Sequence, residues 1–570
     1  TLTLASVYLP IALVPGMLAQ LFIEFAFALA GSVIISGLVA LTLSPMMCAN
    51  LLSEQKLSYL SFFDKALEGI ARGYHTLLTF LLPKRKSTLT VALLSIVMSG
   101  YFYLHITQET APKEDRSLMG VYIPKIEGVD IDELEKIVVK VEKDVTTLPQ
   151  AKQHLTFIGS WGGSIVMPLK PQNQRNKKAT QLVEQLKPQV DGLPSIDPHV
   201  WSWDMALPGI SNAGSGSRIN MVVTSTDSYD TLYKNMLKLQ KDLEESKAFR
   251  KIRFDLKLDT LGYTIELDNN AIAALDLQPI QVAKAIEIFF SGDKNLTIEK
   301  EGVIYNVTIK GKNKPWSLSE IYLTTPEQKR ISLAAIAHMQ PQAQVTSLTH
   351  YQQMRSTNLY VEMLPDETLA HASKKLWKMV KSSLPDKYKL SWVGAVKSLE
   401  ESSNTMLFLL IFALVFIYAI LAMQFESFID PFIILFTVPL SFVGALAVMY
   451  GADNTLNIYS QVGLITLIGL ISKHGILMVE FANQQIQSGL AAKAAIINAA
   501  VLRLRPILMT TSAMLLGAIP LVISIDAGAE ARRSIGMVLI SGLSIGTLFT
   551  LFVLPGIYLM IKSINKKTIA

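Results

Sequence analysis

Residues Val462–Asn483 read VGLITLIGLISKHGILMVEFAN, an apolar run long enough to cross a bilayer, with Lys473 near its middle. Taking an ammonium into hydrocarbon costs about 2.5 kcal/mol or more, so a lysine there is expected to face protein or a water-filled path and to have an acidic partner. The rest of the chain has to supply that partner.

Half of the 570 residues are hydrophobic and the mean hydropathy is +0.35, too apolar for an ordinary soluble protein. Several uninterrupted apolar runs of roughly 18–22 residues mark membrane-spanning helices. A formal charge of +6 is mild at this size, and the basic residues are scattered or flank the spans, which gives nucleic-acid binding little support. Cys48 is the single cysteine, so a disulfide within the chain and a cysteine-built metal cluster are both excluded.

The chain opens at Thr1 inside TLTLASVYLPIALV. Some 14 residues of helix reach only about 21 Å, short of a hydrocarbon core of ~30 Å. The expectation is that residues 1–14 end a truncated helix and that the chain is the C-terminal part of something larger. A full span is expected over Phe22–Leu43, with Pro45 at its end. Residues Phe62–Leu82 carry apolar groups at helical spacing with charges opposite, the pattern of a helix lying on the membrane surface. A span over Ser87–His105 follows Lys84, Arg85 and Lys86, which positive-inside counting puts in the cytoplasm. Five closing spans fall at Asn404–Gln424, Phe432–Tyr450, Val462–Phe481, Ile507–Ile525 and Ile535–Ile561. The loop before the fourth of these carries Lys493, Arg503 and Arg505, and the tail has Lys562, Lys566 and Lys567, all inside by alternation; Arg532 and Arg533 fall outside and vote against it.

Between the spans lies a soluble insert, residues 107–403, expected in the periplasm. Short β-branched strands alternate with charged helices, as in RINMVVTST, YDTLYKNMLKLQKDLEES and IRFDLKL, which reads as ferredoxin-like β-α-β repeats. A unit at about 278–355, richer in strands and turns, reads as an insertion between two halves of one repeat. None of these stretches contains a glycine-rich nucleotide loop, so ATP is not expected to be hydrolysed on this chain, which leaves hydrolysis on a separate subunit as the alternative.

These stretches resemble the resistance–nodulation–division efflux transporters. GLITLIGLISKHGILMVEFANQ is similar to that family's tenth span, RLRPILMTTSAMLLGAIPLVIS to its eleventh, LAGSVIISGLVALTLSPMMCANLL to its sixth, and AILAMQFESFIDPFIILFTVPLSFVGAL to its eighth and ninth. The resemblance implies the C-terminal half of a proton-driven multidrug exporter, an α-helical membrane bundle with a periplasmic α+β insert. It also implies a homotrimer joined by a periplasmic adaptor and an outer-membrane channel, amphiphilic substrates, and no cofactor beyond the proton gradient. The unit at 278–355 would belong to the docking surface.

By the same resemblance Lys473, Thr510 and Arg503 take the proton-relay positions, with the acidic pair on a fourth span outside this chain. The residues agree on the last point. The closing apolar cores hold no Asp or Glu beside Lys473, Glu24 sits at a span end, and Glu480 lies seven residues on. Two turns of helix separate Lys473 from Glu480 by about 10.5 Å, too far for a direct ion pair. Thr510 has an ordinary reading too, a hydroxyl bonded back to its own helix, Arg503 one as an interfacial anchor, and His474 one as a packing residue.

The family's glycine-rich pocket loop is similar to FIGSWGGSIVMPL, and the expected substrate-lining residues are Phe157, Trp161, Met167 and Trp201. Met119, Met167 and Met205 admit a second reading, a copper or silver exporter with methionine ligands, although KHGILMVEF resembles the drug-efflux branch. A third is a split or degenerate gene product without transport activity of its own.

Overall fold

From Ile458 to Gln487 nothing breaks the helical hydrogen-bond ladder, and Asn457 and Ser460 cap its start reciprocally, side chain to backbone in both directions. The result is a 30-residue helix of about 45 Å. A computed structural model describes residues 8, 17–51, 61–112, 114–125, 129, 131–145, 148–191, 198–203, 218–258, 260–309, 318–344, 347–364, 367–452, 454–526 and 528–568. Apart from Tyr8, the expected opening half-helix lies outside them.

The first helices are α1 (Met17–Leu41), α2 (Leu43–Leu51), α3 (Ser61–Leu81) and α4 (Arg85–His105). The insert begins with β1 (Leu118–Pro124), α5 (Ile131–Val145), β2 (Leu155–Gly159), β3 (Gly162–Pro168), α6 (Ala179–Asp191) and β4 (His199–Ser202). A second unit starts with β5 (Arg218–Ser225), α7 (Tyr229–Glu245) and β6 (Lys251–Phe254). Then come β7 (Thr260–Leu267), α8 (Asn269–Ala274), α9 (Pro279–Phe290), β8 (Asp293–Lys300), β9 (Val303–Ile309), β10 (Tyr322–Thr324), β11 (Arg330–Ser332) and β12 (Ala337–Gln344). The second unit is completed by β13 (Thr349–Tyr351), β14 (Met354–Glu362), α10 (Leu369–Ser383) and β15 (Lys389–Val393). The closing helices are α11 (Ala395–Phe425), α12 (Ile429–Leu435), α13 (Thr437–Gly451), α14 (Ile458–Gln487), α15 (Ala492–Ile523) and α16 (Ala529–Thr568).

Seven helical stretches among the described residues are long and apolar enough to cross a membrane, two before the insert and five after it. The stretch on α14 is the most enclosed of them. Glycines let α16 come close: a Cβ added to Gly546 would lie 2.5 Å from the Ser441 Cβ on α13, and Gly463 and Gly475 of α14 face Val538 and Ile434. Helices in lipid gain from such close packing what the hydrophobic effect supplies in water. Amphipathic α3 turns Tyr74 and Leu78 toward the bundle, followed by Leu82 just past its end; the Tyr74 hydroxyl donates to the Leu551 carbonyl at 2.6 Å, and Ile70 and Phe80 are left exposed.

Lys493, Arg503 and Arg505 lie within α15 rather than in a loop. Gly489, at φ +94°, ends α14 in the left-handed conformation. The alanine-rich run from Ala492 then favours helix at once, so the connection is only a few residues. Arg533, at the start of α16, is tied down as well. Arg533 donates from Nε to the Val522 carbonyl at 3.2 Å and from Nη2 to the Ser524 carbonyl at 3.3 Å, closing the orphan end of α15.

The two α+β units share one plan. The first sheet has the order β2-β3-β1-β4, and β6, β14, β5 and β15 follow the same order in the second, with every neighbour antiparallel. Each sheet packs one face under two helices, Met119, Val121, Ile123, Ile165 and Met167 beneath α5 and α6, and Ile219, Met221, Leu359 and Val361 beneath α7 and α10. The smaller unit runs from β7 to β12, beginning earlier than residue 278, with a core of its own around Ile272, Val282, Leu318 and Leu333. It enters between β6 and β14, so it does divide the second unit.

The two larger units have separate apolar cores and meet through buried charge. Lys187 on α6 pairs with Glu362 on β14 at 3.1 Å and with Glu184 at 2.6 Å, and Arg250 lies 3.7 Å from Glu362. Burial pushes the Glu362 carboxyl up, but the charge and hydrogen bond of Lys187, with Arg250 and Arg218 behind, outweigh it and hold it below the usual carboxylate range. A depressed carboxyl contributes stability at neutral pH that is lost as pH falls through its folded value.

Two outcomes follow from this packing. Gly546→Leu should lower the melting temperature of the detergent-solubilised protein, at about 1–3 kcal/mol for overpacking, while Gly451→Ala, which meets nothing within 4 Å, should not. Lys187→Met should destabilise the joint between the units by about 3 kcal/mol at neutral pH, and less in acid, where Glu362 takes up a proton. Hydrogen exchange in α6 and β14 measures it; an equal loss at both pH values would refute the electrostatic account.

Candidate functional site

Lys473 sits half-buried midway along α14, and among the described residues it makes no ion pair and no hydrogen bond. His474 beside it is wholly buried at the junction of α14, α15 and α16. Its Nε2 is 3.4 Å from the Thr511 hydroxyl and its Nδ1 is 3.5 Å from that of Thr547, and the two hydroxyls are 3.4 Å apart. The imidazole therefore sits between two neighbouring helices at the depth of the lysine.

The other relay candidates stand apart from Lys473. The Thr510 hydroxyl donates back to its own helix, to the carbonyls of Pro506 at 3.1 Å and Ile507 at 3.0 Å, and Thr511 is the threonine that faces α14. The Arg503 guanidinium lies 4.8 Å over the Phe481 ring, a cation–π contact. Its Nε is buried without an acceptor among the described residues. Phe481 is eight residues beyond Lys473, about 12 Å along the axis, so Arg503 belongs to the end of the bundle rather than to the lysine.

That end holds a second polar cluster, which sequence reading missed. Asp430 on α12 is buried, pairs with Lys562 on α16 at 3.1 Å and accepts from the Asn483 amide on α14 at 3.0 Å. Tyr558 donates to the Asn483 oxygen at 2.6 Å. One carboxylate thus holds three helices whose members lie more than fifty residues apart in sequence. The available signal was an aspartate beside Pro431 against an apolar run.

The first sheet of the insert sorts the substrate-lining candidates. Alternation puts Met119, Val121 and Ile123 under the helices and Gly120 and Tyr122 on the open side. Register then places Trp201 opposite Gly120, His199 opposite Tyr122, and Phe157 opposite Ser164. Phe157, at 48% exposure, and Trp201 share that open face. Trp161, in the tight turn joining β2 to β3, stacks on Tyr122 with ring centroids 6.0 Å apart and planes 9° off parallel. The expected glycine-rich loop is therefore a hairpin, with Gly162 at φ +128° in its turn.

Gly120 leaves room for the Trp201 ring, since a Cβ there would lie 2.6 Å from its Cζ2. Met167 is different: it is fully buried on the helix-covered face, where odd numbering in β3 puts it, and is removed from the lining. Tyr122 takes its place. Met205 lies outside the described residues.

An uncharacterized transporter of Haemophilus influenzae is 32% identical over 582 aligned residues, covering 99% of this chain and 56% of that protein. The chain thus spans about half the length of the curated relative it matches. The model of the AcrB/AcrD/AcrF family matches residues 1–562. Helices long enough to span a membrane, an α+β insert between the second and third of them, and this match together make the chain a member of the AcrB/AcrD/AcrF family of resistance–nodulation–division transporters.

Proposed function

We propose that this chain carries the membrane and pore machinery of a proton-driven exporter of amphiphilic small molecules. The single observation behind the reading is Lys473, a cation at mid-depth of the most enclosed span with no carboxylate in reach among the described residues. Such a group responds to a neighbouring carboxylate that gains or loses a proton by changing partner and position, and so biases the helix bundle. We place the acidic partner on a span outside the described residues. The membrane is the bacterial inner membrane, the insert lies in the periplasm and its two larger units are ferredoxin-like. The whole protein works as a homotrimer with a periplasmic adaptor and an outer-membrane channel.

The open aromatic face suits this cargo. Tyr122, Phe157, Trp161 and Trp201 offer flat apolar surface for planar amphiphiles, and the neighbouring Tyr hydroxyl and indole N–H groups supply a few polar contacts. The copper or silver alternative finds less support. Met119 and Met167 are sealed in a core beneath α5 and α6, where they present no sulfur to a passing ion. A split or degenerate product remains the reading to beat, and recovered export on co-expression with an upstream six-span half would sink it.

In cells carrying the gene in its native context, Lys473→Met should lower proton-coupled dye export at least tenfold with protein levels unchanged. Retained export would end the proposal. Trp201→Ala and Phe157→Ala should each raise the KM for planar dyes about two- to tenfold, the worth of an aromatic contact. Met167→Leu should leave it unchanged, and copper sensitivity should not follow any of these variants.

A further inference from the structure

The segment from α4 to β1 is bonded at one end to the bundle and at the other to the aromatic-faced unit. Residues 107–110 run parallel to the start of α14: the Leu456 N–H donates to the Thr107 carbonyl at 2.8 Å, Glu109 N–H to the Leu456 carbonyl at 3.2 Å, and Ile458 N–H to the Thr110 carbonyl at 3.3 Å. The same α14 terminus is fastened to α16, where the Asn457 amide donates to Ser534 at 3.3 Å. Glu114, buried, accepts from Arg116 at 3.1 and 3.2 Å beside Gly528 and Arg532 at the start of α16.

Asp115 makes the connection onward. One of its oxygens takes the buried Arg175 guanidinium and the Ser117 N–H at 3.0 Å; the other takes the N–H of Ala179, first residue of α6, at 2.8 Å. Arg175 itself donates to the carbonyls of Lys170 and Lys177 at 2.8 and 2.9 Å. A carboxylate at a helix N-terminus meets unpaired N–H groups and the positive end of the helix dipole. Nearby, Lys178 reaches Glu530 on α16 at 3.8 Å. A connector whose only task was to join two units would not need a ladder to a helix some 350 residues away, nor a buried ion pair fixing where α6 starts.

We propose that residues 107–117 are the mechanical link by which displacement of α14 reaches α6 and the sheet it covers, with Asp115 as positioning residue. Because α14 is continuous, movement at Lys473 is carried about 22 Å to Ile458 along one rigid element. The segment bonded there has to follow it, and α6 follows the segment. This link rests on the reading of Lys473 as the coupling residue.

Export kinetics of variants in the gene's native context test it. Asp115→Ala should lower the maximal rate at least tenfold while KM stays within twofold, and Asp115→Asn, which keeps an acceptor oxygen, should recover part of the loss. An unchanged maximal rate, or a tenfold change confined to KM, would overturn the link. If Asp115→Ala fails to accumulate in the membrane, Gln108→Cys with Leu456→Cys in a Cys48→Ser background decides. Joining two segments that move together should leave at least half the maximal rate after oxidation; a tenfold loss on oxidation, reversed by reductant, would show that they must slide and would overturn the proposal. Lys473→Met in the same assay separates the two readings. Normal export there with a defective Asp115→Ala rejects Lys473 and keeps the link, and the reverse pattern rejects the link alone.

Discussion

The close approach of α16 to α13 and α14 is the constraint on which the bundle depends. Apolar side chains gain little by leaving lipid for another helix, so the helices hold by contact, and contact requires small residues where backbones cross. Gly444, Gly542 and Gly546 provide them, against Ile545, Leu467 and Ser441. Enclosing α14 in this way puts its polar groups among protein neighbours. His474 lies between Thr511 and Thr547, and Asn483 lies between Asp430 and Tyr558. Lys473 differs from both, half-buried and without an ion pair or hydrogen bond among the described residues. Buried hydroxyls such as those of Thr466 and Thr550 are also left without a partner, but an unpaired cation in hydrocarbon costs far more than an unpaired hydroxyl, so the place beside Lys473 suits another, acidic group.

Much of the architecture was legible because its signals are local. Apolar runs gave the spans, and alternation in SLMGVYIPKI and RINMVVTST gave the strands. Even the insertion inside the second unit showed as a change in composition. Failures came where a signal needed a partner distant in sequence. Asp430 reads as a loop residue until α12, α14 and α16 converge on it. Thr510 and Thr511 are adjacent, and only the rotation of α15 against α14 tells which hydroxyl faces inward. Met167 lies in the stretch similar to the family's pocket loop, but strand parity sends it to the opposite face of the sheet. Of the two arginines that disagree with the charge rule, Arg533 closes the end of α15, a local demand on an arginine at that place whatever the topology.

The two larger insert units show how one plan yields different surfaces. Strand order and helix cover are shared, so the buried face of each is apolar, with Phe254 and Trp392 joining the aliphatic residues in the second. The opposite faces share no such requirement. In the first, Gly120 gives up its side chain and aromatic rings from β1, β2, β4 and the hairpin turn spread over the sheet. In the second, the same face carries mainly polar residues, Arg218, Asn220, Thr224 and Asn358, with Val222 and a single ring from β5 and β14, Tyr360. Since packing beneath the helices is met equally in both, these outer residues are free to differ, and the aromatic set has to be explained by what it meets rather than by folding.

That separation bears on how a charge in the bundle can act on a surface outside it. A side-chain movement at Lys473 is small, and a bundle packed to contact passes it on only through elements that move as a whole. Helix α14 is such an element, capped at its start and paired there to residues 107–110. Beyond that point the path is polar: Asp115 binds the first N–H of α6 and a buried arginine, contacts with short range and fixed direction. Apolar contacts between the same parts would let them slip at little cost. A buried carboxylate cannot slip without exposing an unpaired charge, which is expensive, so the connection transmits displacement instead of absorbing it.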